Sequence, residues 1–231
     1  MCGRYSLTRR QEELIERFNI EELLCDRAEL KPRFNIAPSQ MVPVVVVLDG
    51  KRVLTNFKWG FIPHWVKDLS QMKPVINARS ETLFTKPFFR HAIKNQRCLI
   101  PADGFYEWKH QDKVKVPMYI HNQQRTLFAF AGLWSEYTTE DGEVMRTCSI
   151  VTTAANNKMS SVHDRMPVIL TPDQEAVWLD PKASGADALS HIFEPCADSD
   201  IDMYAVSPKV NSAAKDLPEM IEPAPVQTSL F

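Results

Sequence analysis

Apolar positions along the chain follow two periods. Leu14, Ile15 and Phe18 recur at helical spacing behind Thr8-Arg9-Arg10-Gln11, whose threonine and glutamine stand three apart as in a capping box, and this predicts a helix over 8–18. Pro43–Leu48 is a β-branched run, Asp49-Gly50 is a hairpin signal, and Arg52–Trp59 reads as the returning strand. Further strands are predicted at Arg97–Ile100, Pro117–His121, Thr126–Trp134, Arg146–Thr153 and Pro167–Leu170. Asp141-Gly142 marks a second hairpin, between Leu133–Tyr137 and Val144–Thr153. Phe88–Lys94 and Ala183–Phe193 read as helices. Thr171-Pro172-Asp173-Gln174 places an N-cap, a proline at N1 and a glutamine at N3, so a helix runs to Leu179. Hairpins dominate and no βαβ regularity appears, which gives an α+β fold with a mainly antiparallel sheet. One domain over 1–216 and a flexible tail over 217–231, interrupted by Pro218, Pro223 and Pro225, complete the expected organisation.

Charge adds an asymmetry to that pattern. The 231-residue chain carries a net −2, but residues 169–231 hold 3 basic and 11 acidic side chains, a net −8, which leaves 24 basic and 18 acidic, a net +6, over 1–168. The basic part suits a local phosphate-binding surface. The acidic part reads as packing and solubility surface facing away from it. Five scattered cysteines, an odd number, give no disulfide framework. No C-x-x-C or H-x-x-x-H pair supplies zinc ligands, so no metal or other cofactor is expected. No apolar run approaches the ~20 residues of a bilayer span and no secretory leader is present, so a cytoplasmic protein is expected.

The chemistry starts at the second residue. Removal of Met1 from Met1-Cys2-Gly3-Arg4 leaves Cys2 with an α-amine and a thiol on one two-carbon unit. The amine condenses with an aldehyde to an imine, and the thiol closes on the same carbon as a five-membered thiazolidine. The reference pKa values, about 7.7–8.0 for the amine and about 8.5 for the thiol, leave a useful nucleophilic fraction near neutrality. Polar, glycine, proline and aromatic residues concentrate in Arg33–Pro38, Trp59–Pro63, Asn77–Thr82, Pro101–Trp108 and Val162–Pro167, the composition of loops and strand ends that carry function.

Together with Met1-Cys2-Gly3-Arg4 and Val206–Asn211, these ordered segments resemble the SRAP family, the SOS-response-associated peptidase-like proteins, across nearly the whole chain. The resemblance implies one α+β domain with a mainly antiparallel, barrel-like β core and peripheral helices. It also implies a sensor of abasic sites in single-stranded DNA, which traps the C1′ aldehyde as a thiazolidine on Cys2. A competing β-elimination (AP lyase) activity and self-removal of Met1 belong to the same implication. By residue-to-residue match, Glu107 is the catalytic carboxylate that moves protons during sugar-ring opening. Its aromatic neighbours Phe105, Tyr106 and Trp108 suit a raised carboxylate pKa. His163 holds the departing hydroxyl, and Asn77 orients the Cys2 amine. Arg4, Arg79 and Arg165 each stand two residues beyond one of these groups, on the same face of an extended chain, and are expected to clamp phosphates. Trp65 and Trp108 are expected to stack on bases or wedge the strand, and Pro38 to lie near the DNA. Binding should favour single strands and single-strand/double-strand junctions, on a monomeric, nucleoid-associated protein.

Two further expectations stand beside these. Gln227-Thr228-Ser229-Leu230-Phe231 looks like a bacterial sliding-clamp-binding pentapeptide, with Leu230 and Phe231 filling a pocket and Gln227 bonding at its edge. Met-Cys-Gly also opens N-terminal-nucleophile amidotransferases, a reading that predicts glutaminase activity and a synthase domain. A non-covalent single-strand-binding module is the third reading; it would tolerate Cys2→Ala.

Overall fold

The computed structural model describes residues 2–66, 68–69, 72–112, 114–139 and 141–225. Its elements in chain order are β1 (Tyr5–Leu7), α1 (Gln11–Phe18), β2 (Glu22–Leu23), β3 (Arg33–Ile36), β4 (Met41–Leu48), β5 (Lys51–Trp59) and β6 (Asn77–Arg79). There follow α2 (Ala92–Asn95), β7 (Arg97–Ala102), β8 (Gly104–Gln111), β9 (Val114–Asn122), β10 (Phe128–Thr138) and β11 (Val144–Ala154). The last are α3 (Asn157–Ser160), β12 (Arg165–Pro167), β13 (Ile169–Leu170), α4 (Pro172–Leu179), α5 (Ala186–Leu189) and β14 (Ile201–Ala205).

Five strands close into a barrel. β5, β4, β7, β10 and β11 pair antiparallel in that order, and β11 returns to β5 through a parallel step, Thr147 against Lys58 and Cys148 against Trp59. Closure removes the open edges that an exposed sheet would present. Val45, Leu54, Leu99, Phe130 and Ile150, one from each barrel strand, are completely buried in a single core. β6 and β12 extend the sheet on either side of β11. A second, wholly antiparallel sheet has the order β14-β9-β8-β1-β3. Phe105 joins the barrel core, while Tyr106 and Tyr119 pack with Val206, Val210 and Met220 in a smaller core on the sheet's other face. That alternation follows from the two-residue period of a strand. Among the described residues, no helix is long and apolar enough to cross a membrane.

The α+β class and the antiparallel, barrel-like core agree with the sequence reading, and the Asp49-Gly50 turn has the positive φ angles (50° and 79°) of a tight hairpin. Thr171 and Gln174 form the expected capping box. Four expectations change. The first helix begins at Gln11, because Thr8 is drawn away: its N–H and hydroxyl both donate to the Asp103 carboxylate, at 2.6 and 2.5 Å. Helix α2 is confined to four residues, Ala92–Asn95, at the C-terminal end of the expected Phe88–Lys94. Ala183–Phe193 divides into α5 and a 3-10 turn. The ordered chain does not stop at 216: Met220 is fully buried, the Tyr204 hydroxyl donates to the Ile221 carbonyl, and Ala224 N–H donates to the Ala205 carbonyl. The clamp-like residues Gln227, Leu230 and Phe231 lie outside the described residues.

Gly104 is required by a close approach. A Cβ there would lie 2.2 Å from the ring of Tyr119, whose hydroxyl is held 2.9 Å from Ser6 Oγ. Ser6 in turn donates to Asp103 at 2.5 Å. Gly104→Ala is therefore expected to cost about 1–3 kcal/mol of stability, measured as a lowered urea midpoint, because ring and strand must separate.

Candidate active site

The site grows out of the N-terminal end of β1. Beyond Tyr5, the ladder to β8 continues as Tyr106 N–H donates to the Arg4 carbonyl at 2.9 Å, which carries Cys2 toward Glu107. Glu107 shares a strand face with Phe105, the face turned to the barrel core, and is 6% exposed. Cys2 is 1% exposed. Burial first, and the nearby Glu107 carboxylate second, push its thiol up to about 12. The thiol is therefore neutral at physiological pH.

Asn77 approaches from the barrel side. β6 runs parallel to β11, and Asn77 lies opposite Ile150. Its Nδ2 donates to the Cys2 carbonyl at 2.9 Å. Its Oδ1 is buried and has no hydrogen-bond partner among the described residues. An unsatisfied buried acceptor is costly, and an amine on Cys2 is the donor that this position would receive. The sequence reading has Asn77 on the amine; in the structure it holds the adjacent carbonyl and presents a vacant acceptor.

Glu107, Trp108, His110, Lys115, His163 and Asn211 line a cleft of about 450 Å³. His163 follows α3, whose N-cap Asn156 accepts from Met159 N–H at 2.8 Å. His163 Nδ1 lies 3.0 Å from Arg165 N–H and 2.7 Å from the Asp164 carboxylate. The first contact needs a lone pair on Nδ1 and the second a proton. The two contacts are therefore alternatives for this ring nitrogen. Trp108 Nε1 donates to Asn211 Oδ1 at 2.8 Å, which fixes the indole at the cleft wall.

The expected DNA-contacting residues divide. Arg79 is exposed at the end of β6, Trp65 is 53% exposed against the edge of Phe88, and Pro38 is half-buried in a turn. Arg4 is committed internally: its Nη1 donates to Asn35 Oδ1 at 2.8 Å and to the Val210 carbonyl at 2.7 Å. Arg165 forms a two-pronged ion pair with Glu81 and donates to the Thr152 carbonyl at 2.7 Å. Both guanidiniums tie segments together in this structure.

Several site residues lie outside the sequence expectation. Asn35 is fully buried, and its Nδ2 faces the carbonyls of Val210, Ser212 and Lys215 at 3.3, 3.0 and 2.7 Å. Asp216 accepts from Arg33 Nε at 2.6 Å and from the N–H groups of Phe34 and Asn35 at 2.5 and 3.0 Å. Of the acidic 169–216 region, Asn211 lines the cleft and Asp216 ties the end of that region to β3. The polar Asn35 within an apolar strand and the Val206–Asn211 segment were the available signals. Hydrogen bonds and ring contacts tie several of the dense segments to one another or to their immediate neighbours. Trp59 Nε1 donates to the Ile76 carbonyl at 2.9 Å, its ring meets Tyr5 edge-on at 5.4 Å, and the Tyr106 hydroxyl donates to the Phe34 carbonyl at 2.6 Å.

Comparison with known proteins decides the lineage. The family model described as SOS response associated peptidase (SRAP) matches residues 1–213. The chain belongs to the SRAP family. Among SRAP relatives, the abasic site processing protein YoqW of Bacillus subtilis (strain 168) is 44% identical over 223 residues, 96% of this chain and 99% of that one. The abasic site processing protein HMCES of Xenopus tropicalis is 32% identical over 228 residues, covering 84% of this chain and 67% of that one. A crystal structure of a protein from Bacteroides thetaiotaomicron superposes with a TM-score of 0.87 at 26% identity, over 97% of this SRAP chain and 100% of that one.

Proposed function

We propose that this SRAP protein processes abasic sites, capturing the C1′ aldehyde of single-stranded DNA on Cys2 once Met1 has been removed. The observation that carries the reading is the placement of Cys2: its carbonyl sits on Asn77 Nδ2, beside the unpartnered Asn77 Oδ1, and its thiol feels the Glu107 carboxylate. The relatives' names, abasic site processing proteins, support the substrate class.

In this mechanism, Glu107 passes a proton to the sugar ring oxygen as the C1′ hydroxyl loses one, and the closed hemiacetal opens to the aldehyde. The Cys2 amine, accepted by Asn77 Oδ1, adds to C1′. The resulting carbinolamine expels its hydroxyl as water, with His163 bonding to the departing oxygen, and an imine remains. The thiol then adds to the imine carbon, and its proton goes to the nitrogen. One water is lost overall. The thiol is tethered two carbons from the amine, so the closing step benefits from a high effective concentration. If the imine instead loses a C2′ proton, the 3′ phosphate departs and the strand is cut, so crosslinking and lyase action share one intermediate. The closed ring would shield the site during replication. Self-removal of Met1 and a sliding-clamp contact through Gln227–Phe231 remain part of the proposal.

A neutral thiol makes the amine the leading nucleophile. The test is the rate of adduct formation with a single-stranded abasic oligonucleotide, read on denaturing gels from pH 6 to 10. The rate is expected to climb with the amine's titration near pH 7.7–8.0 and then level off. A rate that keeps climbing tenfold per pH unit beyond pH 9 would mean that a thiolate attacks first. No adduct at any pH, with Met1 absent by mass, would overturn the proposal.

A further inference from the structure

The cleft has a charge problem. A captured abasic nucleotide brings its flanking phosphates close to the Glu107 carboxylate, and like charges at short range in a partly buried site repel strongly. Of the three arginines expected to offset them, Arg4 hydrogen-bonds Asn35 and the Val210 carbonyl, Arg165 pairs with Glu81 and bonds Thr152, and Arg79 is exposed at the end of β6. Among the described residues that line the cleft, Lys115 alone carries a fixed positive charge.

Lys115 is placed by the β8–β9 hairpin. The ladder runs from Glu107 opposite Met118, through Trp108 opposite Pro117, to His110 opposite Lys115. Residues 107 and 118 are buried or half-buried, whereas His110 and Lys115 are exposed at the cleft mouth. Beyond them, Asp112 has a φ of 51°. Trp108 pins the hairpin's base through Asn211. The pair therefore stands on a braced two-stranded arm beyond the catalytic carboxylate.

We propose that His110 and Lys115 form a phosphate-binding rim, which holds the backbone phosphate next to the captured nucleotide. Lys115 supplies the charge and the His110 ring an N–H donor. Their cross-strand pairing puts both on one face of the arm, so one phosphate is reached by two side chains. The rim deepens the abasic-site reading, but it is tested without any abasic site.

The experiment measures binding of an undamaged single-stranded oligonucleotide, which has no aldehyde to capture, as a function of salt, in a Cys2→Ala background. Each phosphate contact to a single strand contributes about −0.7 to the slope of log K against log salt. Lys115→Gln is expected to reduce the slope magnitude by about 0.7, and Lys51→Gln, on the β4–β5 turn at the far end of β5, to leave it unchanged. Lys115 is exposed, so its variant should fold normally, and a circular dichroism spectrum checks this. An unaltered slope in Lys115→Gln, with adduct formation by the wild type intact, would overturn the rim alone. Absence of any single-strand binding by the Cys2→Ala parent would overturn the rim and the DNA reading together.

Discussion

Cys2→Ala and Cys2→Ser are both expected to abolish the heat-resistant adduct with abasic single-stranded DNA and to keep the imine chemistry that precedes it. Both variants retain an α-amine after Met1 is removed, so both can form an imine that borohydride reduction traps. Neither has a thiol to close the stable ring. The effective concentration of a tethered, well-oriented nucleophile reaches about 10⁵–10⁸ M, so its loss should lower the yield of stable adduct below detection. The imine then drains through β-elimination, and strand cleavage should rise in Cys2→Ser relative to wild type. A heat-resistant adduct persisting in Cys2→Ala would place the nucleophile elsewhere. Loss of the borohydride-trapped species in Cys2→Ser would mean that the serine variant fails at the amine step.

Glu107→Gln has the second-largest expected effect. A positioned proton donor and acceptor is worth about 10²–10⁴-fold in rate, and the amide preserves the shape and much of the hydrogen bonding of the carboxylate. The adduct should form about 10²–10⁴-fold more slowly. Affinity for undamaged single strands should hold or rise, since a negative charge leaves the cleft. The Cys2 thiol should also move down from about 12, because the carboxylate is, after burial, the second cause that pushes it up. A purely structural Glu107 would leave the rate within a few fold of wild type.

The sequence reading and the structure part company at identifiable places. The barrel hairpins were legible because Pro43–Leu48 and Arg52–Trp59 combine β-branched runs with an Asp-Gly turn, and local chemistry fixes that register. β1, β3, β6 and β14 were not legible. Three of them span only three or four residues and β14 five, none shows an apolar-polar alternation long enough to register, and each exists through pairing with a distant strand. Asn77 and Glu107 read as residues of loops or strand ends; Asn77 does open β6, whereas Glu107 sits inside β8, so rigid ladders aim both. Thr8 shows the reverse failure. Its capping signal is sound locally, yet the Asp103 carboxylate, 95 residues away, offers its hydroxyl and N–H a better acceptor. Arg4 and Arg165 carry a charge that suggests phosphate, but their partners Asn35, Val210 and Glu81 come from segments whose proximity only the fold creates.

The central claim is ring closure on Cys2, and the most direct measurement is the intact mass of the isolated crosslink before and after borohydride treatment. A thiazolidine predicts the mass of the chain lacking Met1 plus that of the abasic oligonucleotide, less one water, with no gain on reduction and fragmentation that places the link on Cys2. A product that takes up two hydrogens, retains Met1 or maps to another residue would contradict it.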